Sequence, residues 1–310
     1  MVMNPSEVRK AAAEAITSLV RQRGDIVHWS AISAGFRVRD QRVLFANRVR
    51  GIFKPAQLAD DAALSIKSSR PSREGRTTRY DDELVEDGLL KYAFQDGDAD
   101  NRDNRLLMQA HRNQLPLIYF NGLADAVYQV FFPVYVARVE PQRRIAWMAW
   151  KSEPASTGPR CSQGFILREP NPPFGNRTAI NQLQHARFRA NVLTAYDFRC
   201  AFSRMPLGSL LGAAPILPAE EAAGIPMIRN AICMSVLHRA AFDADLIGIE
   251  PSGRVHTGRL LDEPANQMLR DQIRASLSSS GTIHFPKASA FRPDPDCLNV
   301  RFRRFQAAQS

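Results

Sequence analysis

In the C-terminal half Asn230 and His238 carry side chains that could serve metal-assisted hydrolysis, and Pro215 upstream of them carries none. Fifteen residues separate Pro215 from Asn230, and eight separate Asn230 from His238. Metal-assisted hydrolysis needs a general base for the water, a group that holds the base in its working orientation, and a ligand for one divalent metal. Asn230 can orient a base and His238 can bind a metal. Pro215 can do neither, because proline has no titratable group and no side-chain donor or acceptor. Losing a general base costs about 10²–10⁴ in rate. One histidine does not hold a catalytic metal firmly by itself. His28, His111, His185, His256 and His284 all lie outside this segment, and none is expected to replace the missing base.

The surrounding residues carry a resemblance. Arg199-Cys200-Ala201, then Ala213-Ala214-Pro215-Ile216, then a segment headed by Asn230, then Leu237-His238-Arg239-Ala240-Ala241-Phe242-Asp243 follow in that order. From Tyr196 to about Ile249 this resembles the HNH nuclease family. There a helix leads to Arg-Cys-Ala, an Ala-Ala-His-Ile strand, an Asn-headed segment and a Leu-His-x-x-Phe-Asp helix. The resemblance implies a ββα-metal domain with Pro215 at the degenerate general-base position, Asn230 as the orienting residue and His238 as the helix metal ligand. The family often has Asp where Gly212 stands, and some members have a metal-binding Asp where Ala214 stands. An active relative would use a divalent metal such as Mg, Mn or Ni. Many members also staple the ribbon with zinc on two C-x-x-C or C-x-x-H pairs. Cys200 and His238 stand where one member of each pair would be, but their partners are Ser203 and Ser235, so no structural zinc is expected.

A second resemblance lies upstream. Tyr80-Asp81-Asp82, Asp87-Gly88-Leu89-Leu90-Lys91-Tyr92, Asp103-Asn104-Arg105 and Leu115-Pro116-Leu117-Ile118-Tyr119-Phe120 resemble the N-terminal domain of bacterial HNH restriction endonucleases. Their rhythm is similar to that of SRA and PUA-like β-barrels. Such barrels stack a flipped base on aromatic rings and read its edge by hydrogen bonds. This implies Tyr80, Asp81, Asp82, Tyr92 and Asn104 as pocket or rim residues. By residue type alone, the tyrosines read as strand core and the aspartates as turn formers.

The charge points to a polyanionic partner. Forty-one Lys and Arg against 31 Asp and Glu give a net charge of +10 and a pI near 9.9. Each phosphate that such a surface neutralises releases a counterion. In the polar stretch 65–80, Lys67, Arg70, Arg73, Arg76 and Arg79 recur every third residue, as an arm along a phosphate backbone or as a solvated loop. Arg187, Arg189, Arg199, Arg204, Arg229 and Arg239 cluster around the HNH-like segment and are the other candidate phosphate contacts. Double-stranded DNA is the expected partner, met as a homodimer so that both strands are reached. No run of eighteen apolar residues exists, so no membrane span is expected. The N-terminus has no apolar core after a basic start and does not read as a signal peptide. Four scattered cysteines form no C-x-x-C pair, which fits a reducing cytoplasm.

The elements that must position these residues follow from periodicity. Val8, Ala11, Ala12, Ala15, Ile16, Leu19 and Val20 predict a helix over 7–23. Strands are expected near 43–45, 51–53, 89–94 and through 115–140, with a helical stretch over 106–112. Residues 153–173 are rich in Pro, Gly and Ser, which suits a linker, and helix returns over 182–196. In the tail, Phe302 and Phe305 are expected to pack inward while Arg301, Arg303 and Arg304 face solvent or DNA. The fold class is α+β: a mainly β, PUA/SRA-like N-terminal domain with a leading helical unit (1–152), a linker (153–180) and an HNH ββα domain (181–310). The expected function is DNA binding on an HNH restriction-endonuclease scaffold with hydrolysis lost or impaired, as in a regulator. The alternative is an active, metal-dependent endonuclease selective for modified DNA.

Overall fold

Leu117 and Tyr119 face one apolar cluster, and Ile118 and Phe120 face another. Successive strand residues point to opposite faces, so this strand has core on both sides. That explains why its sequence runs apolar instead of alternating. The computed structural model describes residues 3–68, 84–85, 89–94, 101–150, 176–218 and 228–309. The contacts divide the chain into two units: Met1–Val20 with Val27–Gln184, and Arg21–Ile26 with His185–Ser310. The whole is α+β, with a curled mixed sheet in the first unit.

In chain order the first part has α1 (Pro5–Arg23), β1 (Ile26–His28), α2 (Trp29–Ala34), β2 (Phe36–Val38), β3 (Gln41–Val43), β4 (Ile52–Phe53), β5 (Ser65–Lys67), β6 (Leu84–Val85), β7 (Leu89–Ala93), α3 (Arg102–Arg112), β8 (Leu117–Ala124), β9 (Val127–Glu140) and β10 (Ile145–Trp150). The sheet order is β4-β5-β8-β9-β10-β7-β6, with β1 added against β9. β5 pairs β8 in parallel, and the other pairs along this path are antiparallel. α3 covers one face with Leu106, Leu107 and Ala110, while Val8, Ala12 and Ile16 of α1 cover the other.

Two expectations change here. Residues 65–67 begin the stretch read as a polar loop, yet they form β5, with Ser65 and Ile66 fully buried. The Ser65 hydroxyl donates to the Phe45 carbonyl, and parallel pairing with β8 satisfies the backbone. α3 begins at Arg102, four residues before the expected Leu106. The side chain of Asn101 caps it by accepting from Asn104 N at 2.8 Å. Its polar first turn hides the helix from an apolar pattern.

The second part has α4 (Asn176–Ala195), β11 (Leu211–Pro215), β12 (Ala231–Ser235), α5 (Val236–Asp243), β13 (Ile247–Ile249), β14 (Val255–Thr257), α6 (Gln267–Ser276) and α7 (Pro295–Ala308). α4 therefore starts inside the stretch expected as linker. β11 and β12 form an antiparallel ribbon that passes directly into α5. Val192, Leu193, Tyr196, Phe202, Ile232, Met234 and Phe242 build the core behind it.

The tail is only partly as expected. Phe305 is buried, but Arg301 also turns inward, with its side chain 14% exposed. It pairs with Asp245, donates to the Phe242 carbonyl and lies 4.7 Å from the Phe242 ring. A carboxylate and a carbonyl in the last turn of α5 together attract a cation. Phe305 also fills the space over Gly248, where an added Cβ would lie 2.3 Å from the ring. Gly248→Ala is expected to destabilise the protein by about 1–3 kcal/mol, and Phe305→Leu should relieve part of that cost. Urea unfolding of both single variants and the double variant measures it.

Candidate functional site

The turn after α4 sets up the site. Asp197, Phe198 and Arg204 all have positive φ, which lets the chain double back tightly without glycine. Cys200 N donates to the Met205 carbonyl, and Arg204 N donates to the Cys200 carbonyl. Ala201 N donates to the Cys233 carbonyl, which fixes this turn to the middle of β12. The Cys200 sulfur is thereby placed beside the end of β12 and the start of α5.

Here the structure gathers Cys200, Ser235 and His238. The Ser235 backbone N–H donates to Cys200 Sγ at 3.3 Å. His238 Nδ1 is 3.6 Å from the same sulfur and 2.7 Å from Ser235 Oγ. His238 Nε2 is 2.9 Å from Ser276 Oγ at the end of α6. The imidazole stacks on Phe202, with centroids 4.5 Å apart, and is 4% exposed. Burial pushes the Cys200 thiol up. The His238 hydrogen bond, backbone N–H groups of Ser203 and Phe202, and the charge of His238 outweigh it and bring the thiol down to about 6. Burial, followed by the charge of Cys200, pushes the neighbouring Cys233 up to about 12.

Pro215 lies at the other end of the ribbon. Leu211 pairs with Ser235 at one end, and Pro215 pairs with Ala231 at the other. Four strand steps of about 3.3 Å separate them by roughly 13 Å. Pro215 is exposed, and as the last residue of β11 it sits where a missing N–H is tolerated. Asn230 is close to it in register but is occupied. Its Oδ1 accepts from Leu217 N at 3.0 Å, and its Nδ2 donates to the Leu217 carbonyl at 2.9 Å. The amide thus brackets the backbone just beyond Pro215 and is 6% exposed. The three positions of the motif are not brought together: Asn230 stays with Pro215, and His238 belongs to the sulfur cluster.

This arrangement does not fit a catalytic divalent metal. No carboxylate faces it from Gly212, Ala214 or Pro215, and both His238 nitrogens already have hydroxyl partners. Among the described residues, no group of three His, Cys, Asp or Glu side chains could hold a metal ion. Zinc does not fit either, because Cys200 and His238 are two ligands where a structural site needs four.

Four of the six candidate arginines among the described residues make contacts within the fold. Arg189 pairs with Asp25 at 2.8 Å and donates to the carbonyls of Gly208 and Leu211. Arg199 donates to the Arg204 carbonyl, and Arg229 pairs with Asp294 at 3.1 Å. Arg239 pairs with Asp243 one helical turn on, at 3.5 Å. Its guanidinium lies over Gly212, 3.5 Å from where a Cβ would be. Arg187 and Arg204 are half-buried. Arg204 lines a shallow pocket of about 240 Å³ with Asp197, His284 and Lys287. Arg70, Arg73, Arg76 and Arg79 lie outside the described residues, as do Tyr80, Asp81 and Asp82. Tyr92 is 4% exposed, edge-on to Tyr119 at 6.2 Å, and Asn104 is fully buried. The Tyr92 ring is therefore committed to the core under α3. A base could stack on it only by displacing that core.

Ser276 and Phe202 complete the His238 environment and carried no signal of their own in the sequence. Ser235 did carry one: a serine three residues before His238 at a helix start is an N-cap, and its hydroxyl accepts from His238 N.

No protein-family model matches the chain, and no curated protein matches it. Among solved structures, the chain aligns with a modification-dependent TagI restriction endonuclease at 16% identity. The alignment covers 77% of this chain and 80% of that one, with a TM-score of 0.27. A superposition that loose fixes neither the fold nor the chemistry.

Cys200→Ala leaves the Ser235 N–H buried without its acceptor, which costs about 1–3 kcal/mol. The cost depends on pH. The thiol is depressed to about 6 in the folded protein, against 9.0 for a free thiol. The unfolded chain therefore binds more protons between those values, and thiolate stability is lost as pH falls through about 6. The stability gap between the parent and Cys200→Ala should widen from pH 6 to pH 9, as read by urea unfolding. A gap constant across that range would show that the thiol is not ionised in the fold.

Proposed function

We propose that this chain is a DNA-binding protein built on an HNH-type ββα unit whose phosphodiester hydrolysis is lost or strongly impaired. The observation that carries this reading is Pro215, exposed at the end of β11 beside Asn230, where the motif calls for a general base. The order of ribbon, Asn230-headed turn and helix supports the scaffold. His238 supports the loss of chemistry, because its nitrogens are bonded to Ser235 and Ser276 and not turned toward the ribbon end. Retained binding is supported by the net charge of +10. Partly exposed Arg239 on α5, paired with the exposed Asp243, supports it as well.

In this reading, residues 1–152 serve recognition and 181–310 form the HNH-like domain. The partner is double-stranded DNA, bound as a homodimer. Affinity comes from phosphate contacts, so it should fall steeply with salt, by about tenfold or more between 50 and 200 mM.

The test sets the parent chain beside Pro215→His, with modified and unmodified plasmid DNA in Mg²⁺, Mn²⁺ or Ni²⁺. The expected outcome is DNA retardation by both proteins and no cutting by the parent. Robust cutting by the parent would overturn the reading. Cutting by Pro215→His alone would place the decay at this one position.

A further inference from the structure

Away from the ribbon, the ammonium of Lys67 lies over two aromatic rings at the end of β5. It is 5.5 Å from the Trp29 ring centroid and 6.0 Å from that of Tyr128. The rings are 5.9 Å apart and inclined at 56°. Both are anchored by backbone. Trp29 is the first residue of α2, and its N–H donates to the Ala126 carbonyl at 2.7 Å. Tyr128 lies on β9 opposite Gly122, which adds no side chain beside the ring. Trp29, Tyr128 and Lys67 are all half-buried, so the two aromatic residues form a partly exposed rim of the α1-side core.

Among the described residues, Lys67, Arg48 and Asp125 are the charges that act on the rim. Lys67 Nζ donates to the Arg48 carbonyl at 2.7 Å. Burial, then the charge of Arg48, pushes Lys67 down. Burial and the charge of Asp125 push the Tyr128 phenol up, while Arg48 pulls it down. Two cations and one carboxylate therefore stand around two rings. Aliphatic side chains would close a core rim equally well. Paired rings with cations beside them have a further use: an unstacked nucleobase offers a π-face for a ring, and its phosphate offers charge for the cations. A duplex hides its base faces and cannot use the rings.

We propose that Trp29 and Tyr128 form a platform on which an unpaired base of single-stranded DNA stacks, with Lys67 and Arg48 taking the adjacent phosphate. Lys67 keeps the rings covered in the free protein. The incoming base replaces it on the ring while its ammonium moves to the phosphate. The site uses none of the ribbon residues and goes beyond duplex binding.

Fluorescence anisotropy of three labelled probes tests the site: a twelve-residue thymidine oligonucleotide, an abasic oligonucleotide of the same length, and a duplex. For the parent, the thymidine probe should bind about 5- to 150-fold more tightly than the abasic probe, the range expected for a lost base stack. Trp29→Ala should reduce affinity for the thymidine probe to the abasic level, Trp29→Phe should keep most of it, and Lys67→Gln should weaken both single-stranded probes. Equal affinity of the parent for the thymidine and abasic probes, or no binding to either, would overturn the proposal. That comparison uses only the unaltered chain, so it stands even if Trp29→Ala fails to fold. Loss of duplex binding alone would count against the proposed function and leave this site untouched.

Discussion

The ribbon depends on a sulfur atom. β11 and β12 have five residues each, and a two-stranded ribbon of that length is marginal in water. What holds it is the apolar core behind it together with the cluster at Cys200. The turn after α4 supplies the sulfur, the end of β12 supplies the Ser235 N–H, the start of α5 supplies His238, and the end of α6 supplies Ser276. Three stretches far apart in sequence, at 200, 235–238 and 276, meet on one thiol–imidazole pair. In a zinc-stapled ribbon a metal does this work with four protein ligands. Here hydroxyls and backbone N–H groups take the place of two of those ligands. Their geometry is compatible, because a hydroxyl bonds an imidazole nitrogen without needing charge. Asn230 and Pro215 lie at the far end of the strands that it pins, where the Leu217 backbone holds the Asn230 amide.

The same economy explains the arginines. A chain with a net charge of +10 has many cations to place, and the second unit uses several of them internally. Arg189 satisfies two carbonyls near the start of β11, and Arg301 satisfies one in the last turn of α5. A guanidinium has five donors in a fixed fork and can close several backbone acceptors at once. Basic composition is therefore a poor map of a phosphate-binding surface.

The parts of the fold that could be read from the sequence are those whose signal is local. The apolar stripe of α1 and the long strands over 117–140 announce themselves within a window of ten to twenty residues. β5 does not: Ile66 is a single apolar residue between polar ones, and its partners β4 and, some fifty residues later, β8 explain its burial. The order of ribbon and helix was legible from the motif, but the use of its residues was not. His238 reads as a metal ligand by position. Its actual partners include Ser276, thirty-eight residues on, and no local pattern reports that. Likewise, Arg301 reads as a surface cation until Asp245 and the Phe242 carbonyl are brought to it.

The changes at the ribbon form one electrostatic pattern. Divalent-metal chemistry needs negative ligands to hold the ion. Gly212, Ala214 and Pro215 supply none on β11. On the facing helix, Asp243 is paired with Arg239, whose guanidinium lies over the space that Gly212 leaves open. An aspartate at position 212 would meet that guanidinium directly and neutralise it. Glycine leaves the guanidinium, paired with Asp243, facing the ribbon. A surface of this kind attracts a phosphate but cannot hold the metal that would polarise it. A residue without a base at 215 and residues without ligands beside it therefore point the same way. Restoring a histidine at 215 tests only the first of these losses, and the charge on β11 decides whether a metal could follow.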